Sequence, residues 1–164
     1  DISGNGMFRI RGGSLSTITT DVVAASENEN IGIVAAFNRF STEGNEYESL
    51  DGSGSGIKAK TRDSRNSNYF FTKVYGIGKM EGLQFQYHEQ HWDFETGHGW
   101  LFNIPQKPEN MNEYRRIFSL RYAPEQGDKN FGYEATSRYQ VHGINWNMHF
   151  YNPDPGGYYP NGVQ

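Results

Sequence analysis

Residues 87–100 read YHEQHWDFETGHGW, which places three histidines, three acidic residues and two tryptophans within fourteen positions. Such a set suits metal ligation, acid–base hydrolysis or ligand recognition at a wet strand end. Side chains alternate along an extended strand, so His88 and His91 point to opposite faces and cannot chelate one ion; an HExxH pair on a helix would be different. Glu89, His91 and Asp93 do share a face. A metal, however, needs three or four converging N/O donors, usually braced by further hydrogen-bond partners. Glu89 and Asp93 have a spacing that can bring two carboxyl groups within the ~5–9 Å used by glycosidases. Acidic pairs at that spacing are equally common on solvated β-faces. The expectation is therefore neither a metal site nor a catalytic one, and no cofactor. The stretch is expected to mark a strand leaving apolar surroundings, with His91, Asp93, His98 and Trp100 as ligand contacts. The loop aromatics Tyr158 and Tyr159, in GGYYPNG, join them.

These residues must be positioned by strands, because helix signals are weak throughout. Six stretches alternate with period two between turn-forming clusters, at about 7–26, 30–43, 68–79, 82–95, 113–123 and 130–151. Several exceed the ~5–6 residues usual for soluble strands. In the first, Phe8, Ile10, Ile18, Val22 and Ala24 share an uncharged face opposite Arg9, Arg11 and Asp21. Phe70, Thr72 and Val74 oppose Lys73, and Leu83, Phe85 and Tyr87 oppose Gln84, Gln86, His88 and Gln90. Phe118, Leu120 and Tyr122 oppose Arg115, Ser119 and Arg121, and Tyr139 and Val141 oppose Arg138, Gln140 and His142. Arg116 falls on the uncharged face, where it would have to sit near an interface.

A soluble sandwich buries the apolar set and wets the other. A transmembrane barrel inverts this, with apolar residues facing lipid and polar ones facing a wet lumen. The connections favour the barrel. Residues 27–30, 79–82 and 124–130 are short, and they alternate with long polar loops at 44–67, which contains DGSGSG, and 96–112. Tight turns at one end and long loops at the other are an outer-membrane pattern. DGSGSG lacks the GxxxxGK[ST] pattern of a phosphate loop and is expected to be flexible.

Composition agrees with a β-protein of large wet surfaces. Leu, Ile, Val and Phe make up only about a fifth of the 164 residues, yet 15% are aromatic, which argues against disorder. The chain has no cysteine, which excludes disulfides and thiolate metal sites, and its net charge of −4 gives no electrostatic case for nucleic acid. No apolar run approaches the ~20 residues of a membrane helix. The whole chain is read as one all-β domain.

The segment FRIRGGSLSTITTDVVAASENENIGIVAAFNRFSTEGNEYES resembles the first barrel hairpin of TonB-dependent outer-membrane receptors. Gly12-Gly13-Ser14, the turn at 27–30 and Thr42-Glu43-Gly44 carry the resemblance, and SLRYAPEQGDKNFGYEATSRYQ is similar to a later hairpin. The resemblance implies an outer-membrane location and ligand-gated uptake of a siderophore, haem, cobalamin or glycan. The ligand would be bound by long loops and a plug domain, with energy supplied through TonB. The 164 residues show no plug, TonB box or aromatic closing strand, and six strands fall short of the eight that close a small barrel, so a segment of a larger barrel is expected. The alternative is a secreted soluble β-sandwich or small barrel that binds carbohydrate through loop aromatics.

Overall fold

The computed structural model describes residues 3–50, 58–95, 110–124 and 132–147. These residues are nearly all strand: β1 (Ser3–Gly12), β2 (Ile18–Glu27), β3 (Ile31–Thr42), β4 (Glu46–Leu50), β5 (Lys58–Arg62), β6 (Arg65–Gly76), β7 (Leu83–Glu95), β8 (Asn110–Tyr122) and β9 (Ala135–Asn147). One 3-10 turn at Gly78–Met80 interrupts them, and among the described residues no helix is long and apolar enough to cross a membrane. Seven strands form one antiparallel sheet in the order β1-β2-β3-β6-β7-β8-β9, while β4 and β5 pair separately as a hairpin. Every main-sheet neighbour except the β3–β6 pair is also the next strand in sequence, so the sheet is a meander with β1 and β9 at its edges. Its strands run 10–13 residues, long enough for the ~9–11 that a tilted strand needs to cross a bilayer.

Two expectations need correction. The stretch 7–26 is two strands, not one. Residues 13–17 turn the chain back, with Leu15 and Ser16 in the left-handed region (φ 57° and 54°). The turn closes through Gly13 N–H to the Thr17 carbonyl (2.8 Å) and Thr17 N–H to the Ser14 carbonyl (3.1 Å). Alternation survives because the turn holds an odd number of residues: Gly12 and Ile18 pair directly and face the same way. A parity count therefore passes through the turn without noticing it.

The second correction concerns 44–67, which is not simply loop: it contains β4, β5 and the start of β6. This hairpin has polar, not apolar, cross-strand pairs. Lys60 bonds Glu46 at 3.0 Å and lies 3.7 Å from Glu48, and Arg62 lies 3.3 Å from Glu46. Opposite charges across a ladder stabilise pairing without leaving any hydrophobic period to detect. The other boundaries shift by a few residues, as strand ends commonly do.

The expected facing of side chains holds on every strand of the main sheet. Across the register, Gly6, Ala24, Ala35, Thr72, Tyr87, Phe118 and Tyr139 form one continuous row on the apolar face. Its aromatic members touch in sequence: Tyr87 to Phe118 at 4.7 Å between ring centres and Phe118 to Tyr139 at 6.2 Å. The opposite, wet face carries Arg9, Arg11, Asp21, Lys73, Arg115, Arg121 and Arg138. The two faces differ in exposure as well as chemistry. On β8, Met111, Glu113, Arg115, Ile117 and Ser119 of the wet face are half-buried, whereas Tyr114, Phe118 and Leu120 of the apolar face are exposed. On β2, Thr19, Asp21, Val23 and Ala25 are half-buried and Ile18, Val22 and Ala24 exposed. The edge strand β9 does not share this asymmetry: Arg138, Gln140 and His142 of its wet face are exposed, and Val141 and Gly143 of its apolar face are half-buried. The most open apolar-face side chains, Phe8 and Tyr139, are 67% and 64% exposed.

Two glycines are covered by tyrosines from the adjacent strand. A Cβ on Gly32 would meet the Tyr75 ring, and one on Gly143 would meet the Tyr114 ring. The bare backbone there is the seat on which each ring lies, one on each face.

Candidate functional site

His91 and Asp93 lie on β7 toward the end where β3 runs into the β4–β5 hairpin. Both are exposed, and both stand on the apolar face where it turns polar. The His91 Nε2 atom lies 2.7 Å from Asn112 Nδ2 on β8. Asp93 is flanked in register by Asn66 and Asn112. His88 points to the wet face, with its Nδ1 atom 3.1 Å from the Tyr69 hydroxyl and its ring 4.7 Å from Phe71. The separation of His88 from His91 follows as strand geometry requires. Glu89 shares the face of His91 and Asp93 but is engaged: the Tyr87 hydroxyl donates to it at 2.7 Å and Arg116 Nε at 2.9 Å. This pair explains how Arg116 is accommodated on the apolar side. Among the described residues, no group of three or more His, Asp or Glu converges in a way that would hold a metal ion. His98, Trp100, Tyr158 and Tyr159 lie outside the described residues.

The concave chemistry at this end is on the other face. Two adjoining cavities, of about 450 Å³ and 370 Å³, share Phe40, Arg65 and Phe94 in their walls. The larger reaches the hairpin base at Gly44, Asn45 and Asp63 and the turn residue Leu15. The smaller is closed by Ser67, Trp92, Met111 and Glu113. Phe40, Trp92, Phe94 and Met111 occupy wet-face positions and interrupt the polar pattern of that face at its loop end, as Phe71 and Ile117 do nearer its middle. That local break is the signal in the sequence that would have found the site.

The walls are held from several directions. Glu43 N–H (3.0 Å) and the Thr42 hydroxyl (3.2 Å) both donate to the Leu15 carbonyl, tying the first turn to the end of β3. The Asp63 carboxylate accepts from Asn45 N–H at 2.5 Å and from the Tyr47 hydroxyl at 3.0 Å, which clamps the hairpin base. Gly44 at φ +67° makes the bend, and a side chain there would run into Asp63. Beyond the clamp, hydrogen bonds from Lys60 and then Arg62 hold the Glu46 carboxyl below the usual carboxylate range, and Glu46 in turn raises Lys60. The bond to Asp63 raises the Tyr47 phenol.

Charge in the cavities is largely committed. Both Asp63 oxygens are engaged in the clamp. Glu113 lies 2.8 Å from His142 Nε2 and 3.7 Å from Arg115. Arg65 is different. Its guanidinium lies 5.8 Å from the Phe94 ring centre, and among the described residues it makes no ion pair and no side-chain hydrogen bond. An arginine over an aromatic ring, with its donors open to a half-enclosed space, is suited to receive an acceptor group from a ligand. No family model, curated protein or solved structure matches this chain.

Proposed function

We propose that this chain is part of an outer-membrane β-barrel that acts as a receptor for ligand uptake, resembling TonB-dependent receptors, with its apolar face toward lipid and its wet face toward the lumen. One observation carries the membrane half of the reading: on the inner strands β2 and β8 the large apolar side chains stand on the more exposed face, while Asp21, Glu113 and Arg115 lie on the more crowded one. In water this arrangement would leave a contiguous apolar surface well beyond the few hundred Å² that soluble monomers tolerate. Each Phe or Leu left unburied forgoes about 1.5–3 kcal/mol. In a bilayer the same surface is matched by lipid.

The placement of charge along the apolar face supports the reading. Coming from the short-turn end, its first charge is Arg39 on β3, Glu89 on β7 and Arg116 on β8, and β1, β2, β6 and β9 carry none within their strands. Seven strands are fewer than the eight of the smallest barrels, so in this reading further strands join β1 and β9. The receptor half rests on the resemblance of residues 7–48 and on the wet-face cavities at the long-loop end. The transported ligand would be a scarce nutrient bound there and moved with energy delivered through TonB.

The chain's lack of cysteine gives a clean test. Single-cysteine variants Phe85→Cys and Phe118→Cys on one face, and Gln86→Cys and Ser119→Cys on the other, are reconstituted in lipid vesicles and treated with a small charged thiol reagent. The wet-face pair should react at least tenfold faster. Equal rates, or a protein that stays monodisperse at high concentration without detergent, would sink the membrane reading. The second of these results would favour a secreted β-domain that binds carbohydrate through the aromatic cavity walls.

A further inference from the structure

We infer that the smaller cavity is a binding site for a ring-bearing organic anion, with Arg65 receiving the anionic group and Phe40, Trp92 and Phe94 receiving the ring. The inference deepens the receptor reading and rests on it for taking this end of the sheet as the ligand-facing one. The geometry itself is independent of where the protein resides.

Three observations point to this class of ligand. First, the cavity is half-enclosed and large enough, at about 370 Å³, for a fused ring system with its substituent. Second, aromatic side chains from two strands contribute to its wall, clustered at the loop end of the wet face. The aromatic rings come from β3 and β7, and β8 adds the Met111 thioether, a soft surface that adapts to planar groups. Third, the two charged residues of this wall are not equivalent. Glu113 is engaged by His142 and Arg115, whereas Arg65 has its ring contact with Phe94 and no carboxylate partner among the described residues. The uncommitted charge in the smaller cavity is therefore positive and planar. A guanidinium binds carboxylate or sulfonate through two parallel hydrogen bonds, and a neighbouring apolar wall strengthens them by excluding water. A neutral sugar would satisfy the aromatic wall but would leave the guanidinium without its counter-charge.

The probe is 2-naphthoate, compared with 2-naphthamide and with methyl glucoside, titrated against the full protein in whichever medium keeps it monodisperse. Binding is read by saturation-transfer NMR on the ligand protons, with displacement to extract affinities. Saturable binding of naphthoate at least tenfold tighter than of naphthamide is expected, because the two differ only in the charged acceptor. Arg65→Ala should remove that preference and Arg65→Lys should restore part of it. Trp92→Ala should weaken both aromatic probes. His91→Ala, on the opposite face, should change neither. Equal affinity for naphthoate and naphthamide, a charge preference that survives Arg65→Ala, or tighter binding of methyl glucoside would each overturn the assignment. Because the comparison between probes needs no mutation, a variant that misfolds leaves the decision intact. Failure here with face-selective cysteine labelling intact would remove the ligand class and leave the barrel reading standing.

Discussion

The apolar and wet faces of the main sheet are made by the same strands, one residue out of phase, and they solve opposite problems. On the apolar face the side chains are large, uncharged over its short-turn half and spread apart, with aromatic rings meeting at tilted angles across β7, β8 and β9. On the wet face, smaller apolar residues such as Val23, Ala25 and Ala36 fill the space between paired charges such as Arg11 and Asp21 at 2.7 Å. Arg121 and Glu134, paired through two bonds of 2.9 Å and 3.0 Å, continue the pattern just beyond the strand end. What separates the faces is which solvent each can tolerate. Hydrophobic content alone does not, since β2 and β3 are apolar on both sides. Exposed bulk on one face and crowded charge on the other are what the proposed arrangement, lipid on one side and a wet lumen on the other, calls for.

The sharpest way to break this comparison is to swap a charge across it. Phe118→Glu places a carboxylate among Tyr87 and Tyr139, where lipid is proposed to lie. It should cost about 2–3 kcal/mol or more in urea titrations of the vesicle-reconstituted protein, from charge at depth and lost ring burial together. Ser119→Glu, one residue away and opposite Arg138 in register, should stay within about 0.5 kcal/mol. Equal costs at the two sites would erase the distinction between the faces.

A smaller effect is expected from the two tyrosine-covered glycines, which sample the faces with one and the same substitution. Gly32 is buried beneath Tyr75, whose hydroxyl is also tied to Glu27 at 3.2 Å. Gly143 lies under Tyr114, an exposed ring with room to swing aside. Gly32→Ala should therefore destabilise by about 1–3 kcal/mol, as overpacking does, and Gly143→Ala by clearly less, both measured as shifts in denaturation midpoint. The reverse order would mean that the wet face is the looser of the two.

The smallest effect lies outside both faces, in the β4–β5 hairpin. Glu46 has a depressed carboxyl in the folded state, so its contribution is present above the ordinary glutamate value of 4.5 and is lost as pH falls through the lower, folded value. Amide exchange in 46–48 and 60–62 should quicken as pH drops below that range, after correction for intrinsic rates. The β3–β6 ladder, which contains no acidic residue, should not change over the same range. The pairs are solvent-exposed and screened, so the change should be modest and weaker at high salt.

Much of this fold was legible because period-two alternation reports facing directly. Every facing assigned from Phe8 to Val141 within the strands agrees with the register, including the awkward position of Arg116. Features that do not disturb alternation were not legible. The turn at 13–17 preserves parity, and the β4–β5 hairpin is held by charge pairs that carry no hydrophobic period. The site shows the same limit. The cluster at 87–95 attracts attention by composition, yet its side chains divide between two faces, and Glu89 is engaged by Tyr87 and Arg116. The cavities instead gather Phe40, Arg65, Phe94 and Met111 from strands far apart in sequence. No local window contains such a set, and only the pairing register brings it together.

The five-residue turn at 13–17 also limits how this chain can change. It joins Gly12 to Ile18 with the two on the same side, so the N-terminal edge strand keeps step with its neighbour much as a reading frame is kept. Adding or removing two residues there leaves Phe8 and Ile10 on their own side. Adding one must be absorbed as a bulge, or else Arg9 and Arg11 move to the apolar face and the two apolar residues to the wet one. Length variation at this turn is thus expected to come in twos, whereas the hairpin after Gly44, which stands outside the main sheet, is free of that arithmetic.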